Sequence, residues 1–158
     1  MTRKIDVQVI IGSKSDEPKL QSAIDVLNEF GISFDFKVAS AHRTPEYVTE
    51  IVDNAINNGV KVFITGAGMA NHLSGTVASK TVLPVIGIPF SGGISHGMDS
   101  LLATVQMPPG VPVATVAVDG AKNAALLALQ ILAIENKDIQ KKLVEYRHKE
   151  AEKIKNAI

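Results

Sequence analysis

Two hydrophobic rhythms alternate along the chain. Short, largely apolar runs at residues 7–11, 34–39, 60–65 and 83–88 each stop at a Gly, Ser or Pro, the pattern of strands covered on both faces. Between the first two, Leu20, Ala23, Ile24, Leu27 and Phe30 recur at helical spacing until Gly31 ends them. After Pro45 the same spacing returns in Val48, Ile51, Val52, Ala55 and Ile56 before Gly59. Further helices are predicted over 71–79, 100–105 and 121–133, with a fifth strand over 112–118. Strands separated by helices and joined by right-handed crossovers give an α/β fold, a parallel sheet of about five strands with helices on both faces.

Residues 1–158 read as a single domain, because 158 residues suit one core and no repeat or linker interrupts them. The segment 137–158 is different. Ile139, Leu143, Tyr146 and Ile154 form only a thin apolar stripe on a Lys/Glu-rich helix, which suits a terminal helix packed on a neighbouring subunit better than one left in solvent.

In a doubly wound sheet, ligands bind beyond the carboxyl ends of the strands, where the strand order reverses. The first three strand-end loops are all chemically loaded. Gly12-Ser13-Lys14-Ser15-Asp16 places hydroxyls and N–H groups at a helix start, which suits a phosphate or sugar, although it lacks the Gly-Lys-Ser/Thr ending of a Walker A loop. Asp16 has two readings, an N-cap of the following helix or an acceptor for ribose hydroxyls. Ser40-Ala41-His42-Arg43-Thr44-Pro45 sets a hydroxyl, an imidazole and a guanidinium side by side. There Arg43 suits phosphate, Thr44 and Pro45 suit a helix start, and His42 can exchange a proton near neutral pH. The third loop, Gly66-Ala67-Gly68-Met69-Ala70-Asn71-His72-Leu73, lets backbone approach a flat ligand, and His72 either faces that ligand or caps the helix. It is not a dinucleotide fingerprint, since Asn71 occupies the third small-residue position and no carboxylate follows at 87–93.

Composition removes several classes of function. Lys plus Arg and Asp plus Glu both number 16, so no net field favours nucleic acid or an acidic membrane. No apolar run approaches the roughly 20 residues of a membrane span, and no export signal is visible. The sequence contains no Cys, which excludes disulfides and thiolate chemistry and fits a cytoplasmic location. With no His-Glu-x-x-His, no nucleophile elbow and no carboxylate cluster, acid/base chemistry without a metal is what remains.

Taken together, Gly12-Ser-Lys-Ser-Asp16, Ser40-Ala-His-Arg-Thr-Pro45, Gly66-Ala-Gly68, His72-Leu73, Asp99-Ser-Leu101, Gln106-Met-Pro108 and Asn123-Ala-Ala125 resemble the PurE family over nearly the whole chain. The resemblance implies a flavodoxin-like three-layer sandwich, no metal or organic cofactor, and a homo-oligomer, an octamer, whose sites are completed by neighbouring subunits. It also implies an imidazole ribonucleotide substrate. Ser13, Asp16, Ser40 and Arg43 would hold its phosphate and ribose, and His42 would move the proton. The loop from Gly66 to Leu73, with Gly68, His72 and Leu73, would line the imidazole and carboxylate.

The expected activity is that of the class I members, N5-carboxyaminoimidazole ribonucleotide mutase. The alternatives are the class II reaction, which uses aminoimidazole ribonucleotide and carbon dioxide directly, and a non-catalytic nucleotide-binding module. Met69, Asn71 and Ser74 depart from the class I pattern, and Asn71 and Ser74 lean toward class II. Arg43 with Pro45, His72 and the segment ending at Pro108 lean toward class I. His96, in the loop 91–97, is expected to be a surface residue.

Overall fold

A computed structural model describes residues 4–157. The parallel sheet has the order β2-β1-β3-β4-β5, the arrangement of flavodoxin-like proteins. Its strands are β1 (Val7–Ile11), β2 (Phe34–Val38), β3 (Val62–Gly68), β4 (Val85–Phe90) and β5 (Ala114–Thr115). The helices are α1 (Glu17–Glu29), α2 (Pro45–Asn57), α3 (His72–Ala78), α4 (Met98–Val105), α5 (Ala121–Ala133) and α6 (Lys137–Lys155).

The sheet divides the core in two. On one face Val7, Val9, Ile64 and Ile88 pack against Leu27 of α1 and Leu129 of α5. On the other, Ile10 and Phe63 meet Val48 and Val52 of α2 and Leu73 and Val77 of α3. Covering on both faces explains why β1 and β4 are buried along their whole length. Gln8 is the polar exception in β1, and its amide is satisfied across the strand pair, donating to the Asp35 carbonyl at 3.1 Å and its carboxylate at 3.2 Å. No helix among the described residues is long and apolar enough to cross a membrane.

Two strands differ from the sequence-based expectation. β3 starts later than residue 60, because the Val60 N–H bonds to Ala55 and completes the exit from α2. It continues through Gly66, Ala67 and Gly68, which pair with Ile88, Pro89 and Phe90. Gly66 is therefore a ladder position rather than a terminator: a Cβ there would lie 2.5 Å from the Phe90 ring. β5 is only Ala114–Thr115, because the chain then leaves the ladder so that Asp119, in left-handed backbone with φ 57°, can donate its N–H to Pro89 at 2.9 Å. On α6, Ile139 and Leu143 are buried in the chain's own core and Tyr146 packs on Phe30 at 5.9 Å. Only Ile154 of the apolar stripe remains exposed.

Replacing Gly66 with Ala forces a methyl into the Phe90 ring, so Gly66→Ala should lose about 1–3 kcal/mol of stability. Urea denaturation reads this as a lower midpoint, and an unchanged midpoint would mean that the Phe90 ring is free to move.

Candidate active site

The strand order reverses between β1 and β3, and a cleft of about 770 Å³ opens above their carboxyl ends. Ser13, Asp16, Ser40, His42, Arg43, Gly68 and Leu73 all line it, so the three loops singled out in the sequence converge. His72 reaches the cleft only through His42.

The first loop is ordered by its own hydroxyls. Ser13 accepts from the Ser15 N–H at 3.3 Å and lies 2.8 Å from the Ser15 hydroxyl, forming a 3-10 turn over Lys14–Asp16. Asp16 occupies the position before α1 but makes no side-chain cap bond, which leaves its carboxylate to the cleft. Burial pushes the Asp16 carboxyl above the usual carboxylate range; Lys19 pulls against this and the Asp119 charge adds to it.

The second loop is stapled by Thr44. Its hydroxyl accepts from the Ser40 N–H at 2.9 Å and donates to the Ser40 carbonyl at 3.1 Å, in place of a cap bond into α2. Arg43 crosses to the first loop, donating to the Gly12 carbonyl at 3.3 Å, while its own N–H donates to Ser40 Oγ at 3.2 Å. One guanidinium thus ties the first two loops together with donor capacity to spare.

In the third loop the cap of α3 is Asn71, not His72: the Asn71 side chain accepts from the Ser74 N–H. His72 turns outward, and its Nδ1 lies 2.7 Å from His42 Nε2, with the rings edge to face. At that distance one nitrogen must donate and the other accept, which fixes the tautomer of one ring by that of the other. Met69 is exposed at the cleft in left-handed backbone, with φ 51°. Asn71 and Ser74, the departures that lean toward class II, are 0 % exposed and face the interior. They do not touch the cleft.

A family model described as AIR carboxylase matches residues 6–153. The chain belongs to the AIR carboxylase, or PurE, family. A Methanocaldococcus jannaschii protein named N5-carboxyaminoimidazole ribonucleotide mutase is 52% identical over 146 residues, covering 92% of this chain and 90% of that one. A Bacillus subtilis protein of the same name is 50% identical over 143 residues, covering 89% of this chain and 88% of that one. The crystal structure of Treponema denticola PurE superposes with a TM-score of 0.86 at 32% identity, covering 94% of this chain and 92% of that one.

Two residues of this PurE chain were missed by sequence reasoning. Lys19 lines the cleft, donates to the Ser91 carbonyl and sits 5.8 Å from the centre of the Phe90 ring. Its place one helical turn after Asp16 was a usable signal. Asp119 accepts from the Ser91 N–H at 2.9 Å and from the Ser91 hydroxyl at 2.5 Å. It falls between the strand expected over 112–118 and the helix expected over 121–133, where no local pattern marked it. His96 is exposed, with φ 56°, and does not line the cleft.

The raised pKa of Asp16 has a definite sign in stability. The folded chain holds this proton more tightly than the unfolded one, so the contribution is present below the ordinary value of 3.8 and is lost as pH rises through the raised value. Asp16→Asn should therefore melt above the wild type at neutral pH, the difference closing as pH falls through the carboxylate range. Thermal melts across pH check this, and an Asn variant less stable at neutral pH would show that Asp16 has a stabilising partner.

Proposed function

We infer that this PurE chain is an N5-carboxyaminoimidazole ribonucleotide mutase, an isomerase of purine biosynthesis that converts N5-carboxyaminoimidazole ribonucleotide to 4-carboxy-5-aminoimidazole ribonucleotide. The observation that carries the mechanism is an imidazole, His42, seated beside anion-binding donors in one cleft and hydrogen-bonded through Nε2 to a second imidazole. Ser13, Ser40 and Arg43 suit the phosphate, Asp16 suits the ribose hydroxyls, and the backbone at Gly68 with Leu73 suits the flat ring.

The proton inventory closes on one residue. When the carbamate N–C bond breaks, its electron pair stays on nitrogen, carbon dioxide leaves, and protonated His42 gives that nitrogen a proton. C4 of the electron-rich ring then attacks the retained carbon dioxide. Loss of the C4 proton to His42 restores aromaticity and the protonated imidazole. Asn71 and Ser74 are buried and do not line the cleft, which weakens the sequence argument for direct carboxylation.

Retention of carbon dioxide requires a covered cleft, and His42 and Arg43 are exposed. A homo-oligomer supplies that cover in our reading, an octamer as the family resemblance implies. Its support is an exposed apolar stripe on α4, formed by Met98, Leu102 and Val105 one and two turns apart. This helix leaves the loop whose first residues, Ser91 and Gly92, form a wall of the cleft. The exposed end of α6 at Ile154 offers a second contact. The absence of Cys supports a cytoplasmic setting.

His42→Asn should lower kcat by about 10²–10⁴-fold, the usual worth of a general acid/base, with the fold and ligand affinity retained. Product absorbance from fresh carbamate, against aminoimidazole ribonucleotide with bicarbonate, measures this and the choice of substrate. A fully active variant removes His42 from the chemistry, and preference for bicarbonate overturns the mutase reading. Leu102→Lys should reduce the mass seen by light scattering together with turnover, and a wild-type monomer would remove the shared cover.

A further inference from the structure

Beneath the cleft runs a chain of buried side chains whose hydrogen bonds all point one way. Thr65 Oγ1 donates to Ser74 Oγ at 2.8 Å, and Ser74 Oγ donates to Asn71 Oδ1 at 3.3 Å. Asn71 Nδ2 donates to Thr104 Oγ1 at 2.8 Å, Thr104 donates to the Ser100 carbonyl at 2.6 Å, and Ser100 Oγ donates to the Phe90 carbonyl at 2.8 Å. The Asn71 amide can sit only one way round. Its oxygen must meet the Ser74 N–H at 3.5 Å, and its nitrogen must meet the Ile88 carbonyl at 3.4 Å. The series starts in β3, crosses α3 and α4, and ends at the last residue of β4, next to the cleft-lining Ser91.

We propose that Thr104, acting through Asn71, is a positioning residue for the His42–His72 pair. The inference rests on the mutase reading, in which His42 moves the proton. The turn that carries His72 is of an uncommon kind, because Met69 is left-handed at φ 51° and the His72 N–H closes back on Ala70 at 2.7 Å. His72 is exposed, and among the described residues its ring hydrogen-bonds only to His42. The location of that ring is therefore set by the backbone of Asn71, the residue before it.

Asn71 in turn is tied to α4 by Thr104 and to β4 by Ile88. The assembly cannot sink toward the sheet, since it rests on bare backbone at Gly87, where a Cβ would lie 2.5 Å from Thr104 Cγ2 and 3.0 Å from Ser74 Oγ. A buried polar series of this length is costly unless every donor is used, and here each one is. Apolar side chains could fill the same space, but they would not direct the amide of Asn71.

Thr104 lies outside the cleft lining, so its substitution leaves every substrate contact in place. Thr104→Val keeps the shape and removes the hydroxyl. It should lower kcat about tenfold, short of the roughly hundredfold that a misplacement of about 1 Å can cost, while KM stays within about twofold. Thr104→Ser, which keeps the hydroxyl, should restore kcat. Ring-nitrogen NMR of ¹⁵N-histidine protein, with the His72 signals identified by their loss in His72→Asn, should show the His42 and His72 shifts moving in the Val variant and not in the Ser variant.

If valine yields too little folded protein, Thr104→Ala removes the same hydroxyl without adding a methyl. A folded Val or Ala variant with wild-type kcat and unmoved ring-nitrogen shifts overturns the proposal, and so does a Ser variant as impaired as Val. Wild-type protein that fails to convert the carbamate would overturn the mutase reading by itself. The ring-nitrogen shifts need no turnover and decide the tether separately.

Discussion

β1 hydrogen-bonds to β2 on one edge and to β3 on the other, and this interior placement of the first strand governs where polar chemistry can stand. Helices cover both faces of the sheet, so its central strands have no room for ionised side chains, and the one amide among the β1 residues is consumed by Asp35. Polar residues are displaced to the strand ends. Because the order reverses between β1 and β3, the connections after β1, β2 and β3 lean toward a common point, and Arg43 locks the first two together through the Gly12 carbonyl.

The main design of this molecule was legible because it is written in local signals. Apolar runs ending in Gly, Ser or Pro gave the strands, Gly31 and Gly59 gave the helix stops, and the Ser40 to Pro45 cluster announced itself by density of function. Legibility ended where tertiary contacts decide. β3 runs on through Gly66, where the Phe90 ring of β4 leaves no room for a side chain, and β5 stops early where the chain turns to bring Asp119 to Ser91. Neither reason is present in the local sequence.

The third loop shows the same division more sharply. Spacing left His72 either facing the ligand or capping the helix, and Asn71 and Ser74 stood out only as departures from the class I pattern, but a helix start sends successive side chains in different directions. Asn71 and Ser74 turn inward to other polar groups, while His72 turns outward to His42. Their partners, Thr65, Thr104 and Ile88, come from distant parts of the chain. Residue types alone suggested a difference in substrate chemistry where the structure has a difference in internal wiring.

Ser91 is gripped at its N–H and hydroxyl by Asp119 and at its carbonyl by Lys19. One grip comes from the first helix and the other from the connection between the last strand and α5. During synthesis, the first three loops emerge from the ribosome well before Asp119 does. A growing chain therefore exposes its first three strand-end loops while the Ser91 wall still lacks its Asp119 fastening, so the cleft is completed only after the last strand has been made.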